Sequence, residues 1–219
     1  MSKYTFGLDS YEIKDTRSRH EDTNYVAVAL SVSGKMVGNP QTKSMGDQNN
    51  GTYAVGLTFP NVDVPDGGTA TMLYYILNAG HKNPADIQAA LGAVVQQQMS
   101  KADDASSGQS SSDSSGDWKS ELEKFARSLI FADCDGPITP PQGRQIVWSS
   151  SDLKGVAAGA KVAESQDEPG NDSPMGCGGN SHYIVHFSVK AEADTGHVSH
   201  AGGHLDVGHV GGQVRDHRR

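Results

Sequence analysis

Tyr25-Val26-Ala27-Val28-Ala29-Leu30-Ser31-Val32 decides the fold class. Val26, Val28, Leu30 and Val32 alternate with Tyr25, Ala27, Ala29 and Ser31, a period of two that belongs to a strand with one clear apolar face. Outward from it, Tyr4, Phe6 and Leu8 alternate, and Tyr11 and Ile13 resume after a break at Asp9-Ser10. Tyr53, Val55, Leu57 and Phe59 repeat the pattern, which Pro60 is expected to end. Thr71 to Leu77 is apolar on both faces, as a central strand covered on both sides requires. Arg144 to Ser149 and His182 to Val189 supply two more strands. Asn49-Asn50-Gly51 and Pro65-Asp66-Gly67-Gly68 carry turn chemistry between them.

Helical patterns are confined to the middle of the chain. Asn83 is a good N-cap, Pro84 suits the first turn and Asp86 complements the N-terminal dipole. Ile87, Leu91, Val94 and Gln98 then share a side, so the spacing predicts a helix to about Met99. Residues 100–117 are Ser, Asp and Gly without an apolar anchor and read as a disordered linker. A second amphipathic helix is expected over 118–130, with Trp118, Leu122, Phe125 and Leu129 on one face. The fold class expected is mainly β with a helical insertion (α+β): an antiparallel β-sandwich with two amphipathic helices and a flexible C-terminal tail. Residues 1–190 form one domain, 83–130 its insertion, and 191–219 a His/Gly-rich tail.

The chain has 219 residues, 35% of them hydrophobic, and a net charge of −8. That charge speaks against nucleic acid, whose binding needs clustered Lys and Arg. No stretch approaches the roughly 20 apolar residues of a membrane span. Nor does the N-terminal sequence resemble a cleaved signal peptide.

Two cysteines sit in two matching acidic loops, Asp133-Cys134-Asp135-Gly136-Pro137 and Asp172-Ser173-Pro174-Met175-Gly176-Cys177-Gly178-Gly179. A bond between Cys134 and Cys177 would be worth about 4 kcal/mol. It would imply an oxidising compartment, hence export without a cleaved signal; two free thiols would imply the cytoplasm. If bonded, the loops gather Asp133, Asp135 and Asp172 into an acidic rim. Asp15, Asp22 and Asp47 add hard oxygen donors from other loops, and Ca2+ is the cation such a set would take. The alternative is that these carboxylates bind local backbone N–H groups and build turns. No EF-hand spacing is present. His197, His200 and His204 would share a face on a helix, but the glycines around them disfavour one.

No Gly-x-Ser-x-Gly elbow, P-loop, His-Glu-x-x-His pair or Cys-x-x-Cys motif occurs. Cys177 with His81 or His182 lacks local support for an activated thiolate. Asp15-Thr16-Arg17-Ser18 with His20 and Asp22-Thr23, Met45-Gly46-Asp47 with Asn49-Asn50-Gly51-Thr52, Phe131-Ala132-Asp133-Cys134-Asp135-Gly136-Pro137, and Asp172-Ser173-Pro174 with Gly176-Cys177-Gly178 and Asn180-Ser181 follow one another in that order. Together they resemble a family of small, mostly microbial, β-rich proteins, and the resemblance implies no activity. The function expected is a non-enzymatic, secreted, ligand-binding or self-assembling protein. Glycans, a protein ligand or further copies of itself are its expected partners. The rival expectation is a membrane-active or toxin-like protein that deploys the 83–130 insertion.

Overall fold

The computed structural model describes residues 2–18, 21–80, 83–106, 136–140, 143–170 and 181–193. Its strands are β1 (Lys3–Asp15), β2 (Asp22–Val32), β3 (Lys35–Met36), β4 (Gln41–Gln48), β5 (Gly51–Asp63) and β6 (Thr69–Asn78). After helix α1 (Pro84–Ser106) come β7 (Gly136–Pro137), β8 (Arg144–Ser149), the short helix α2 (Ser150–Lys154), β9 (Lys161–Glu168) and β10 (His182–Ala191). The chain is mainly antiparallel β. One sheet has the order β5-β1-β10-β9. The other is built on β2 and β6, with β3 and β4 along the far edge of β2 and β7 and β8 along the far edge of β6.

The alternation read in the sequence separates the two faces of each strand, one of which lies in a shared core. Phe6 and Leu8 of β1, Val26, Val28 and Leu30 of β2, Met72, Tyr74 and Ile76 of β6, and Val185 and Phe187 of β10 share one hydrophobic cluster. Trp148 packs against Phe6 and Phe187, with ring centroids 5.1 and 5.9 Å apart. The opposite face of β2 and β6 is also buried. There Tyr25, Ala27, Ala29, Leu73, Tyr75 and Leu77 meet Ile87, Leu91, Val95 and Met99 of α1. Ala27 and Ala29 are short enough for the helix to lie close on the sheet. Asn83 caps that helix, its Oδ1 accepting from the Ala85 N–H at 2.9 Å.

Several expectations change. The break at Asp9-Ser10 is a β-bulge inside one continuous β1, where the register with both neighbours shifts. Pro60 does not end β5, which runs to Asp63. A proline lacks a donor, and β5 is an edge strand that needs none on its outer side. The buried stripe of α1 passes through Val95 and Met99, while Gln98 is only half-buried. The helix continues to Ser106, beyond the expected stop near Met99, through the good helix formers Lys101, Ala102 and Ala105. β3, β4 and β9 were not legible in the sequence, being short or polar edge strands without apolar alternation. The second helix over 118–130, the rest of the linker and the tail from residue 194 lie outside the described residues.

Candidate functional site

At one end of the sheets, buried polar side chains from both layers form a single hydrogen-bonded network. Its centre is Asp22, the first residue of β2 and fully buried. One carboxylate oxygen accepts from the Arg17 backbone N–H at 2.8 Å and the Tyr183 hydroxyl at 2.7 Å. The other accepts from the Ser18 N–H at 2.8 Å and the Asn78 amide at 2.9 Å. Asp22 thus pins the turn after β1 while tying β2 to β6 in its own sheet and to β10 in the other.

Asn78 also accepts from the Thr23 N–H at 2.9 Å. Asn24 donates to Gln48 at 3.2 Å and to the Tyr183 hydroxyl at 3.0 Å. Tyr11 donates to the same Gln48 oxygen. Arg17 is 3% exposed, and its guanidinium donates to the Pro137 carbonyl at 2.8 Å. A β-carbon on Gly136 would lie 2.7 Å from that guanidinium, and its φ of +157° is one that other residues rarely adopt. Burial pushes the Tyr183 hydroxyl well above the ordinary tyrosine range, and the Asp22 charge adds to the shift. Burial does the same to Tyr11.

The loops of this pole are the loops that carry the sequence phrases. Asp15 pairs with His182, and Asn50 donates to the Lys14 carbonyl at 2.6 Å. Gly136 and Pro137 pair with Asn78 and Leu77. The described ends of both cysteine-bearing segments, Gly136-Pro137 and Ser181-His182, therefore reach the same pole as residues 15–18 and 47–50. Ser181 is fully buried there, and its hydroxyl makes no hydrogen bond among the described residues.

Of the expected cation ligands, Asp22 has both oxygens saturated by protein donors and takes the turn-building role. Asp15 is exposed, and exposed Asp47 accepts from the Thr23 hydroxyl at 2.5 Å. No group of three or more His, Cys, Asp or Glu side chains that could hold a metal forms among the described residues. Asp133, Asp135, Asp172, Cys134 and Cys177 lie outside them. Arg17, Asn78, Gln48 and Tyr183 were not anticipated as a unit. The signal available was a polar residue, Asn24 or Asn78, at a position where an otherwise apolar strand buries its side chain.

A second buried polar unit joins the sheets along one side. Glu168 of β9, 1% exposed, accepts from Arg144 of β8 at 2.9 and 2.8 Å and from the Tyr74 hydroxyl at 2.7 Å. At the other end of β1 from the pole, a cleft of about 350 Å3 is lined by Tyr4, Val64, Leu153 and Ser150. Its rim carries the exposed pair Lys154–Asp66 at 2.9 Å, in which the lysine holds the Asp66 carboxyl below its usual range. Among the described residues, the His182–Asp167 contact at 2.6 Å is exposed, and no serine or cysteine there is hydrogen-bonded to the ring. No family model and no curated protein matches the chain. Among the described residues no helix is long and apolar enough to cross a membrane.

Proposed function

We propose that the chain is a non-enzymatic, secreted β-sandwich protein that binds a glycan or protein ligand through the loops of the Asp22 pole. The observation that carries this is the convergence of residues 15–18, 21–23, 46–50, 136–137 and 181–182 on one buried network. Such a network holds loop backbones in place at low mobility, and rigidly presented loops at a sandwich end are a natural recognition surface. The two sheets sharing one hydrophobic cluster support the sandwich reading. The membrane-active alternative is less favoured, because the apolar stripe of α1 is already spent on β2 and β6.

The test is a glycan array together with a pull-down, using the wild type and variants of the exposed pole residues Glu21, Asp47 and Asn49. A ligand retained by the wild type and lost in Glu21→Lys or Asn49→Ala, with unchanged melting, is the expected result. No ligand in either screen, or binding indifferent to all these substitutions, overturns the reading. Secretion further implies a Cys134–Cys177 bond, with Ca2+ at Asp133, Asp135 and Asp172 as the cation to try first. Thiol titration of the denatured, unreduced chain reads the bond directly.

A further inference from the structure

Among the described edge strands longer than two residues, β8 is the one that nothing protects. The outer edge of β5 is covered: Lys43 donates to the carbonyls of Ala54 and Val55, at 3.3 and 2.6 Å, and Gln41 to that of Thr58 at 2.7 Å. β4 is kinked, with a register shift against Asn24/Tyr25 and Gly46 at φ +71°. β9 is charged along its length, with Lys161, Glu164 and Asp167 exposed, and charges along an edge oppose further pairing. β8 has none of these devices. Its register with β6 is unbroken from Ser149↔Thr69 to Arg144↔Tyr74, and its one charge, Arg144, is engaged by Glu168. Val147 at its centre is 57% exposed.

The hydrogen-bond parity of that edge follows from one contact. The Ser150 N–H donates to the Gly68 carbonyl at 2.9 Å, so in an antiparallel ladder the even-numbered residues of β8 bond to β6. Gln145, Val147 and Ser149 then direct their N–H and C=O groups to the free side. The Ser149 N–H is already taken by Asp152 at 2.9 Å, in the cap of α2. Gln145 and Val147 remain.

We propose that a second copy of this chain pairs with β8 antiparallel, across a two-fold axis at Ile146. In that register Gln145 faces Val147 of the partner subunit and Val147 faces Gln145 of the partner subunit. Every free N–H and C=O of the two residues is then satisfied, and the α2 cap stays intact. Shifting the axis to Val147 would instead require the Ser149 N–H. Side-chain parity agrees, since inward residues meet inward residues. A six-residue edge buries less than the roughly 1,200 Å2 of a stable complex, so the dimer is reversible.

The experiment is sedimentation of the full chain over a wide concentration range, with reductant so that no intermolecular disulfide contributes. The expected mass rises from 23.1 kDa toward twice that value. Val147→Pro removes an edge donor that β6 does not use, so it is tolerated by the fold. Val147→Lys adds a charge at the same exposed position. Both variants should raise the dimer dissociation constant at least tenfold while keeping the wild-type melting temperature. A wild type that stays at 23.1 kDa at every concentration overturns the proposal, and so do variants that dimerise as the wild type does. Ligand capture at the pole is measured separately and does not depend on this edge.

Discussion

Removing the Asp22 carboxylate would strand the N–H groups of Arg17 and Ser18, the Asn78 amide and the Tyr183 hydroxyl around a fully buried position. Each buried donor left unmet costs about 1–3 kcal/mol. Asp22→Ala is therefore expected to lose on the order of 3 kcal/mol or more, read from the midpoint of urea unfolding. A loss below about 1 kcal/mol would mean that the network is not what holds the pole. Gly136→Ala should also destabilise, because its methyl group meets the Arg17 guanidinium at 2.7 Å. The tyrosines add a pH dependence. Tyr11, Tyr74, Tyr75 and Tyr183 are all shifted above the ordinary value of 10.0, in each case chiefly by burial. The folded state then keeps protons that the unfolded chain releases, so the contribution of these tyrosines to stability is constant below pH 10.0 and falls as pH rises beyond it. Spectroscopic titration should show these phenols ionising only with unfolding at alkaline pH. Early, non-cooperative ionisation of all seven tyrosines would contradict it.

α1 is held to the molecule by its stripe rather than by its own propensity. Gly92 and the β-branched pair Val94-Val95 make it a mediocre isolated helix, whereas Ile87, Leu91, Val95 and Met99 are buried against β2 and β6. Leu91, with no exposed surface, should cost about 2–5 kcal/mol when truncated to alanine. Asn83→Ala should cost about 1 kcal/mol through loss of the cap. Helical circular dichroism that persisted unchanged in Leu91→Asp, with unchanged melting, would show that the helix does not need the sheet. The same docking bears on the membrane-active alternative, since exposing this stripe would first have to uncover Tyr25, Leu73 and Tyr75.

Across the whole molecule the two layers are fastened differently along their two sides. On one side Lys43 and Gln41 reach from β4 to carbonyls of β5 in exposed or half-buried contacts. On the other, Glu168 is almost inaccessible and meets Arg144 through two parallel bonds. Breaking one partner of such a pair leaves a buried charge, so Arg144→Ala is expected to cost about 3–5 kcal/mol. Lys43→Ala, acting at the wetter side, should cost about 1 kcal/mol or less. Thermal or urea melts of the two variants compare the sides directly, and equal losses would remove the asymmetry.

Alternation from Tyr25 to Val32 and the two-sided apolar run from Thr71 to Leu77 determined by themselves that the chain is a β protein with β6 in the middle of a sheet. Asn83-Pro84 likewise determined where α1 begins. These features are local: side chains two positions apart share a strand face, and a cap acts within one helical turn. The sequence also marked Asp22, with turn-building among its two readings, but it could not show which donors saturate it. Tyr183 lies 161 positions from Asp22, and Glu168 is 94 from Tyr74. β9 looked like loop because an edge strand needs no apolar alternation when its pairing partner, β10, supplies the buried side. The network at the pole, the Glu168–Arg144 tie and the open edge of β8 were decided only by tertiary structure. They depend on which strands become neighbours, and that is set by packing two sheets and a helix around shared apolar faces rather than by any stretch of residues read alone.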